Sequence, residues 1–101
     1  MASSKEYADF ISDQCSGLSA RAMMGEYVLY YNGKVVGGVY DNRLLVKPTT
    51  SAKELMPDAA YQLPYEGAKE MLFVEAVEDR AFLEKLFAAM YDALPEPKKR
   101  R

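Results

Sequence analysis

Hydrophobic residues near the start of the chain recur at the spacing of an α-helix. The positions on this stripe are Tyr7, Phe10, Ile11, Gln14, Cys15 and Leu18. Ser3 and Glu6 precede it in the S-x-x-E relation of a capping box, in which both side chains accept from free backbone N–H groups of the first turn. Gly17 can take the left-handed conformation that often follows a helix. The pattern predicts a first helix over 4–16, with Cys15 near its last turn and facing the core.

The middle of the chain changes to the composition and period of β-strands. β-branched and aromatic residues are concentrated here, in segments at 20–23, 27–31, 34–40 and 43–47. Asn32-Gly33 and Asp41-Asn42 separate the later segments, and these residues tolerate the positive φ angles of tight hairpin turns. Met24-Gly25-Glu26 can separate the first two. We expect an antiparallel meander of four strands between Ala20 and Lys47.

The segment after this meander mixes one short helix with loop and strand signals. Ser51 and Glu54 repeat the capping-box spacing, and Pro57 ends the helix after barely two turns. A loop follows, in which 61–63 could form a short strand. The apolar run 71–75 is a stronger strand signal.

The last predicted element is a longer amphipathic helix from Asp79, which can cap it, to Ala93. The element order α-β-β-β-β-α-β-α indicates a two-layer α+β domain, with an antiparallel sheet of about five strands and flanking helices. We expect one domain over 1–95 and a disordered basic tail over 96–101. The first and last helices should cover the same sheet face, with a core of Phe10, Ile11, Leu29, Val39, Leu83, Leu86 and Phe87.

The charge of the chain is unevenly distributed. The formal net charge is −2, but the four C-terminal residues, 98–101, carry +4, which leaves −6 on the rest of the chain. An acidic body repels phosphate backbones, so nucleic-acid binding is expected only as weak, non-specific contact through the tail. The tail residues are Lys98, Lys99, Arg100 and Arg101. A solubilising end is the alternative interpretation of this tail.

Several absences limit where the protein works. Cys15 is the one cysteine, so an internal disulfide is excluded, and no apolar run reaches the ~20 residues of a membrane-spanning helix. The polar N-terminus lacks the apolar stretch of a secretory signal. We therefore expect a cytoplasmic protein without membrane contact.

The sequence lacks the parts that most enzymes use. There is no histidine, which excludes Ser-His-Asp and Cys-His arrangements and His-containing zinc sites. Cys15 is expected to be a buried core thiol and not a nucleophile. Gly37-Gly38 lies within a strand and lacks the features of a phosphate-binding loop, so a bulge or close packing under a helix is the better interpretation. The acidic residues are dispersed. We expect no catalysis, no cofactor and no metal site.

A few basic, aromatic and methionine side chains are candidates for contact with a partner, because such mixtures are favoured at recognition surfaces. They are Arg21, Met23, Tyr27, Lys47, Tyr65 and Lys69. The alternative is structural: the rings of Tyr27 and Tyr65 anchor the sheet and a loop, Arg21 and Lys47 satisfy groups at strand ends, and the methionines fill the core.

Two segments carry a resemblance to a known family. Arg21-Ala-Met-Met-Gly-Glu-Tyr27, with the turns and the Gly37-Gly38 strand after it, resembles the first motif of the TfoX N-terminal domain family, and 64–71 is similar to its second motif. The resemblance implies a non-enzymatic antiparallel sheet packed on helices, known from regulators of DNA-uptake competence that act through other proteins. The longer regulators carry a second, helical domain, whereas a basic tail is expected here. The chain also departs from the pattern at Met24, where Phe is common, and at Leu45, where an aromatic residue is common.

These observations favour a protein-interaction or regulatory module that acts through a partner protein. The alternative is a small-molecule-binding domain that uses the surface near Arg21, Tyr27 and Tyr65, and an enzyme of unfamiliar type is the third hypothesis. A cleft with converging polar groups would favour the small-molecule hypothesis.

Overall fold

The computed structural model of the protein describes residues 3–94, in which three helices and six strands follow one another along the chain. The helices are α1 (Lys5–Ser12), α2 (Thr50–Leu55) and α3 (Arg80–Tyr91). The strands are β1 (Leu18–Met23), β2 (Glu26–Tyr31), β3 (Lys34–Tyr40), β4 (Arg43–Val46), β5 (Tyr61–Gln62) and β6 (Met71–Val74). The predicted α+β class is confirmed. The sheet has six strands where about five were expected, because the short strand considered at 61–63 does form, as β5.

The strands form one antiparallel sheet in the order β1-β2-β3-β4-β6-β5. The predicted four-stranded meander is confirmed, and each of its hairpins turns through two residues with positive φ. These turns are Met24-Gly25, Asn32-Gly33 and Asp41-Asn42. Such turns match the right-handed twist of the flanking strands. The short turns fix the register of the meander, and with it the face on which every side chain lies.

One face of the sheet packs against the three helices, and we call it the helix face. Its core includes Leu29, Val39 and Leu44, together with Ile11 of α1 and the buried stripe of α3. Six of the seven predicted core residues are buried in this cluster, and Phe10 is the one that the structure contradicts. Phe10 is 38 % exposed and lies against Tyr7, with 6.2 Å between ring centroids. In α1, Ala8 and Ile11 form the buried face instead.

The residues that cap the helix N-termini differ from the predicted ones in two of the three helices. Ser4, not Ser3, caps α1 by accepting from Tyr7 N–H at 3.1 Å. Thr49, not Ser51, caps α2. Asp79 caps α3 as predicted. Neighbouring hydroxyl residues compete for a cap, and in α1 and α2 the spacing to Glu selects the wrong one.

The first helix is shorter than predicted, since it ends at Ser12 and not near residue 16. The following residues form a turn in which Gly17 has φ +92, as expected, and its carbonyl accepts from Asn32 N–H. Gln14 is also buried there, and its Nε2 donates to the Val77 carbonyl at 2.7 Å. Cys15 therefore lies in the core, as predicted, but in the turn after α1.

Ser3 does not cap α1; instead, it joins the N-terminal segment to the sheet. One carboxylate oxygen of Glu26 accepts from Ser3 N–H at 3.1 Å and from Asp41 N–H at 3.1 Å, and lies 2.7 Å from Ser3 Oγ. Ser3 Oγ in turn accepts from Asn42 N–H at 2.9 Å. The contact ties the N-terminal segment to the start of β2 and to the turn after β3.

We expect Glu26→Ala to lower the free energy of unfolding by about 1–3 kcal/mol, because it removes a charged acceptor that Ser3 N–H, Ser3 Oγ and Asp41 N–H share. Chemical denaturation measures this change. The matched control is Glu6→Ala, which removes the exposed carboxylate of the predicted capping box and should be nearly neutral. A larger loss for Glu6→Ala than for Glu26→Ala would contradict the observed arrangement.

Candidate partner-binding surface

The face of the sheet opposite the helices carries a groove beside the β1–β2 hairpin. We call this face the open face; alternation along the strands places Met23, Val28 and Tyr40 on it. The groove has a volume of ≈ 430 Å³. Its lining is Met23, Met24, Glu26, Tyr27, Val28, Tyr40 and Tyr65, and we call it the hairpin groove. It is mainly apolar, which suits an apolar side chain of a ligand or partner.

Gly38 and Tyr40 shape the floor of this groove. A side chain at Gly38 would come within 2.5 Å of Tyr40 Cε2, so the absence of one lets the Tyr40 ring lie against the strand. The ring then meets that of Tyr65 at 6.1 Å between centroids. Gly38 therefore has a packing role, as predicted, although what it admits is an aromatic ring and not a helix.

Arg43 holds the loop that brings Tyr65 to the sheet. Its Nε donates to the Tyr40 carbonyl at 3.1 Å, and its Nη1 and Nη2 donate to Gln62 Oε1 and to the Leu63 carbonyl at 2.6 and 3.1 Å. The next residue, Pro64, is buried. The guanidinium thus joins the β3–β4 turn to the start of loop 63–70 and positions one wall of the groove.

The rim of the groove presents large apolar side chains to solvent. Met24 is 99 % exposed, Met23 is 51 % exposed and Tyr65 is 62 % exposed. Met24 also has φ +53. Asn and Gly adopt that backbone region at lower cost than methionine does. A methionine at this position therefore improves neither the stability of the turn nor the solubility of the protein, and neither property explains why Met24 is there.

A second depression continues from the first across the open face. Tyr40 and Tyr65 line both, and the second adds Lys47 and Lys69, with Glu70 beside them. Its volume is ≈ 490 Å³. We call it the lysine groove. The two grooves together give an apolar end with flexible methionines and a more polar end with ammonium groups.

The structure brings together some of the predicted partner-binding residues but not all of them. Met23 and Tyr65 share the hairpin groove, and Lys47, Lys69 and Tyr65 share the lysine groove. Arg21 lines a separate depression with Ser19, Ala20, Tyr30 and Gly33. Tyr27 borders the hairpin groove, but it pairs with Val39 on the helix face and packs against the core. The structural interpretation of Tyr27 is therefore the better one.

The pKa shifts near these sites favour neutral side chains. Burial raises the pKa of Tyr40, and the neighbouring Tyr65 and Glu26 raise it further, so its hydroxyl stays protonated at neutral pH. Burial also raises the pKa of Cys15, with Glu84 adding to the shift and Arg80 opposing it. A buried thiol with a raised pKa is a poor nucleophile. Within residues 3–94 no group of three His, Cys, Asp or Glu residues could hold a metal ion.

Sequence reasoning missed three residues that build the hairpin groove: Met24, Tyr40 and Arg43. One of them had a usable signal, since Met24-Gly25 places an apolar residue at a tight turn where Asn or Asp is usual. The others act through contacts between strands and loop 63–70, which no local pattern shows.

None of the described helices is long and apolar enough to span a membrane.

Comparison with known proteins identifies the family of the chain. The chain is 39 % identical over 105 aligned positions to an uncharacterised 12.7 kDa protein in the trpE 5′ region of Spirochaeta aurantia, an alignment that covers all of this chain and 91 % of the relative. No solved structure matches the chain. The model of the TfoX N-terminal domain matches residues 11–93, which include both grooves, all six strands, α2 and α3. The protein belongs to the TfoX N-terminal domain family.

Proposed function

We propose that this domain is a non-enzymatic interaction module that binds a partner protein through the hairpin groove. The partner supplies an apolar side chain that enters between Met24 and Tyr65, and the lysine groove receives the polar groups beside it. Membership of the TfoX N-terminal domain family supports a regulatory role of this kind.

The observation that carries this proposal is the side chain of Met24. A methionine that is 99 % exposed, on a backbone with φ +53, costs stability and adds apolar surface. Binding gives both properties a use, because an unbranched thioether can repack against partners of different shape. Exposed Met23 and Tyr65 beside it enlarge the apolar surface that a partner would cover.

The small-molecule alternative has less support. Its three residues, Arg21, Tyr27 and Tyr65, do not converge, since Arg21 lines a different depression and Tyr27 packs on the helix face. The carboxylate of Glu26 at the hairpin groove already accepts from Ser3 and Asp41 N–H groups. Small-molecule sites use a few converging and available polar groups.

A non-catalytic role is supported by the composition and by the one thiol. The sequence has no histidine, and Cys15 is a buried thiol whose pKa is raised. We expect the protein to work in a reducing cytoplasm, where a lone cysteine stays free. The basic tail lies outside the described residues, and its weak contact with nucleic acid stays a prediction.

The test is affinity capture from the native cell with the wild type and with Met24→Asn as baits, followed by mass spectrometry. A true partner should be retained by the wild type and reduced at least about tenfold by Met24→Asn, the change expected for about 1.4 kcal/mol of lost apolar contact. The matched control is Tyr61→Ser, which removes an exposed ring on β5 outside both grooves. Equal retention by all three baits would contradict the proposal.

The same variant separates binding from folding. Because Asn tolerates positive φ, Met24→Asn should keep or raise the free energy of unfolding, by up to about 1 kcal/mol. Thermal unfolding measures this. A clear loss of stability in Met24→Asn would mean that the methionine supports the fold, and the case for a binding role would fall.

A further inference from the structure

The first strand leaves one edge of the sheet uncovered. β1 is a terminal strand of six residues, without proline and with Arg21 as its one charge, and Ser19, Arg21, Ala22 and Met23 are exposed. The opposite edge, β5, has only two residues. Proteins usually protect long edges with prolines, bulges or several charges, because a free edge can pair with another strand. Within residues 3–94, no other element pairs with the outer side of β1.

Hairpin geometry shows which backbone groups on this edge are free. In a two-residue hairpin the pair flanking the turn is hydrogen-bonded, and here that pair is Met23 with Glu26. Alternate residues then bond inward, a pattern that the Asn32 N–H to Gly17 carbonyl bond at 2.9 Å continues. The N–H and C=O groups of Ala20 and Ala22 therefore point outward. At Leu18 the carbonyl points outward, while its N–H bonds to Cys15.

These outward groups restrict how two copies of β1 could pair antiparallel about a two-fold axis. Backbone hydrogen bonds between the two strands must join residues whose N–H and C=O groups point outward. The two symmetric registers in which the strands overlap extensively are therefore centred on Ala20 or on Arg21. The register centred on Arg21 sets two guanidinium groups directly opposite each other, which is unfavourable. The register centred on Ala20 sets Arg21 opposite Ser19 and has only a methyl group from each copy at the axis.

We propose that the protein self-associates through β1, with Ala20 at the two-fold axis, to form a continuous antiparallel sheet from two copies. Ala20 N–H of each copy donates to the Ala20 carbonyl of the other, and Ala22 N–H donates to the Leu18 carbonyl of the other. The inference does not depend on the proposed function.

The charge pattern of β1 supports a second copy as the occupant of this edge. Arg21 is the one charged residue of the strand, and the register centred on Ala20 sets it opposite the uncharged Ser19 of the other copy. Two copies of β1 therefore pair without like charges directly opposite each other. The dimer leaves the lysine groove uncovered, since that groove lies on the strands beyond β2.

Sedimentation velocity over a range of concentrations tests the dimer with the full chain. The wild type should pass from monomer to dimer as concentration rises, and Ala22→Pro should weaken the association at least about tenfold by removing an outward donor in each copy. Proline is tolerated on an edge where the N–H faces solvent, so Ala22→Pro should keep the fold. The control is Ala22→Ser, which keeps the N–H and should dimerise like the wild type.

Disulfide trapping tests the register. Ala20→Cys should form a covalent dimer on mild oxidation, because a bonded pair has Cα atoms about 5.5 Å apart, within disulfide range. Ala22→Cys should not, since Ala22 pairs with Leu18 of the other copy. Native Cys15 is buried and does not compete. A wild type that stays monomeric at all concentrations, or a dimer that neither Ala22→Pro weakens nor Ala20→Cys traps, would overturn the proposal in favour of another occupant or another interface.

Discussion

Replacing Gly37 with Ala should prevent the protein from folding to a stable state. Gly37 pairs with Leu29 on one side and with Val46 on the other, beside the irregularity where the β2–β3 register shifts. A methyl group there would lie on the Leu45 carbonyl oxygen and 2.7 Å from Val46 Cα. Both atoms are backbone atoms of β4 and cannot rotate away. The strands would have to separate or change register, and a one-residue shift moves every side chain to the wrong face.

The expected result is a loss of most of the free energy of unfolding, which for a domain of this size is about 5–15 kcal/mol. Circular dichroism and urea denaturation of the purified variant would show it, as would the soluble yield. Gly33→Ala is the matched control. It adds the same methyl group where nothing lies within 4 Å, so only the strain at φ +89 remains, about 1–2 kcal/mol. Similar stabilities of the two variants would mean that β3 and β4 can move apart at little cost.

Truncating Phe87 to Ala should cost about 3–5 kcal/mol, the range for removing a large aromatic side chain from a core. Phe87 is fully buried on α3, and its ring lies 5.8 Å from that of Tyr31 on β2. Its removal loses apolar burial and leaves a cavity between the helix and the sheet. The midpoint of urea denaturation should fall accordingly, with an unchanged slope if the variant still unfolds in one step.

Phe10→Ala is the control for this prediction, because it deletes the same atoms from a ring that is 38 % exposed. We expect it to cost about 1 kcal/mol or less, as is usual away from the core. The measurement belongs at low protein concentration, so that self-association through β1 does not contribute. Equal costs for Phe10→Ala and Phe87→Ala would show that α1 is packed as the helical pattern predicted and not as the structure has it.

Phe10 and the helix caps show where local patterns are insufficient. The pattern in α1 locates a helix, but Phe10 and Ile11 are adjacent, and only the docking of α1 on β1 decides which of them is buried. Ser3 and Ser4 are likewise equivalent as candidate caps. The acceptor on Glu26, 23 positions along the chain from Ser3, decides between them.

The candidate site depends even more on long-range contacts. Met23 and Tyr65 were predicted to contact a partner, and they share the hairpin groove only because Arg43 holds loop 63–70 over the sheet. Arg21 was assigned to the same surface, yet lies at a separate depression. Membership of a motif does not place two side chains in one groove.

The sequence alone determined the α+β class, the antiparallel meander and most of the core, because turn residues and hydrophobic periods act over a few residues and agree with one another here. The positive-φ turns at 32–33 and 41–42 are the clearest case. The tertiary structure decided the choice between neighbouring caps, the exposure of Phe10, the joining of Tyr40 with Tyr65 and the free edge at β1. Each of these results from contacts between segments distant in the sequence, whose energies depend on packing that no local pattern contains.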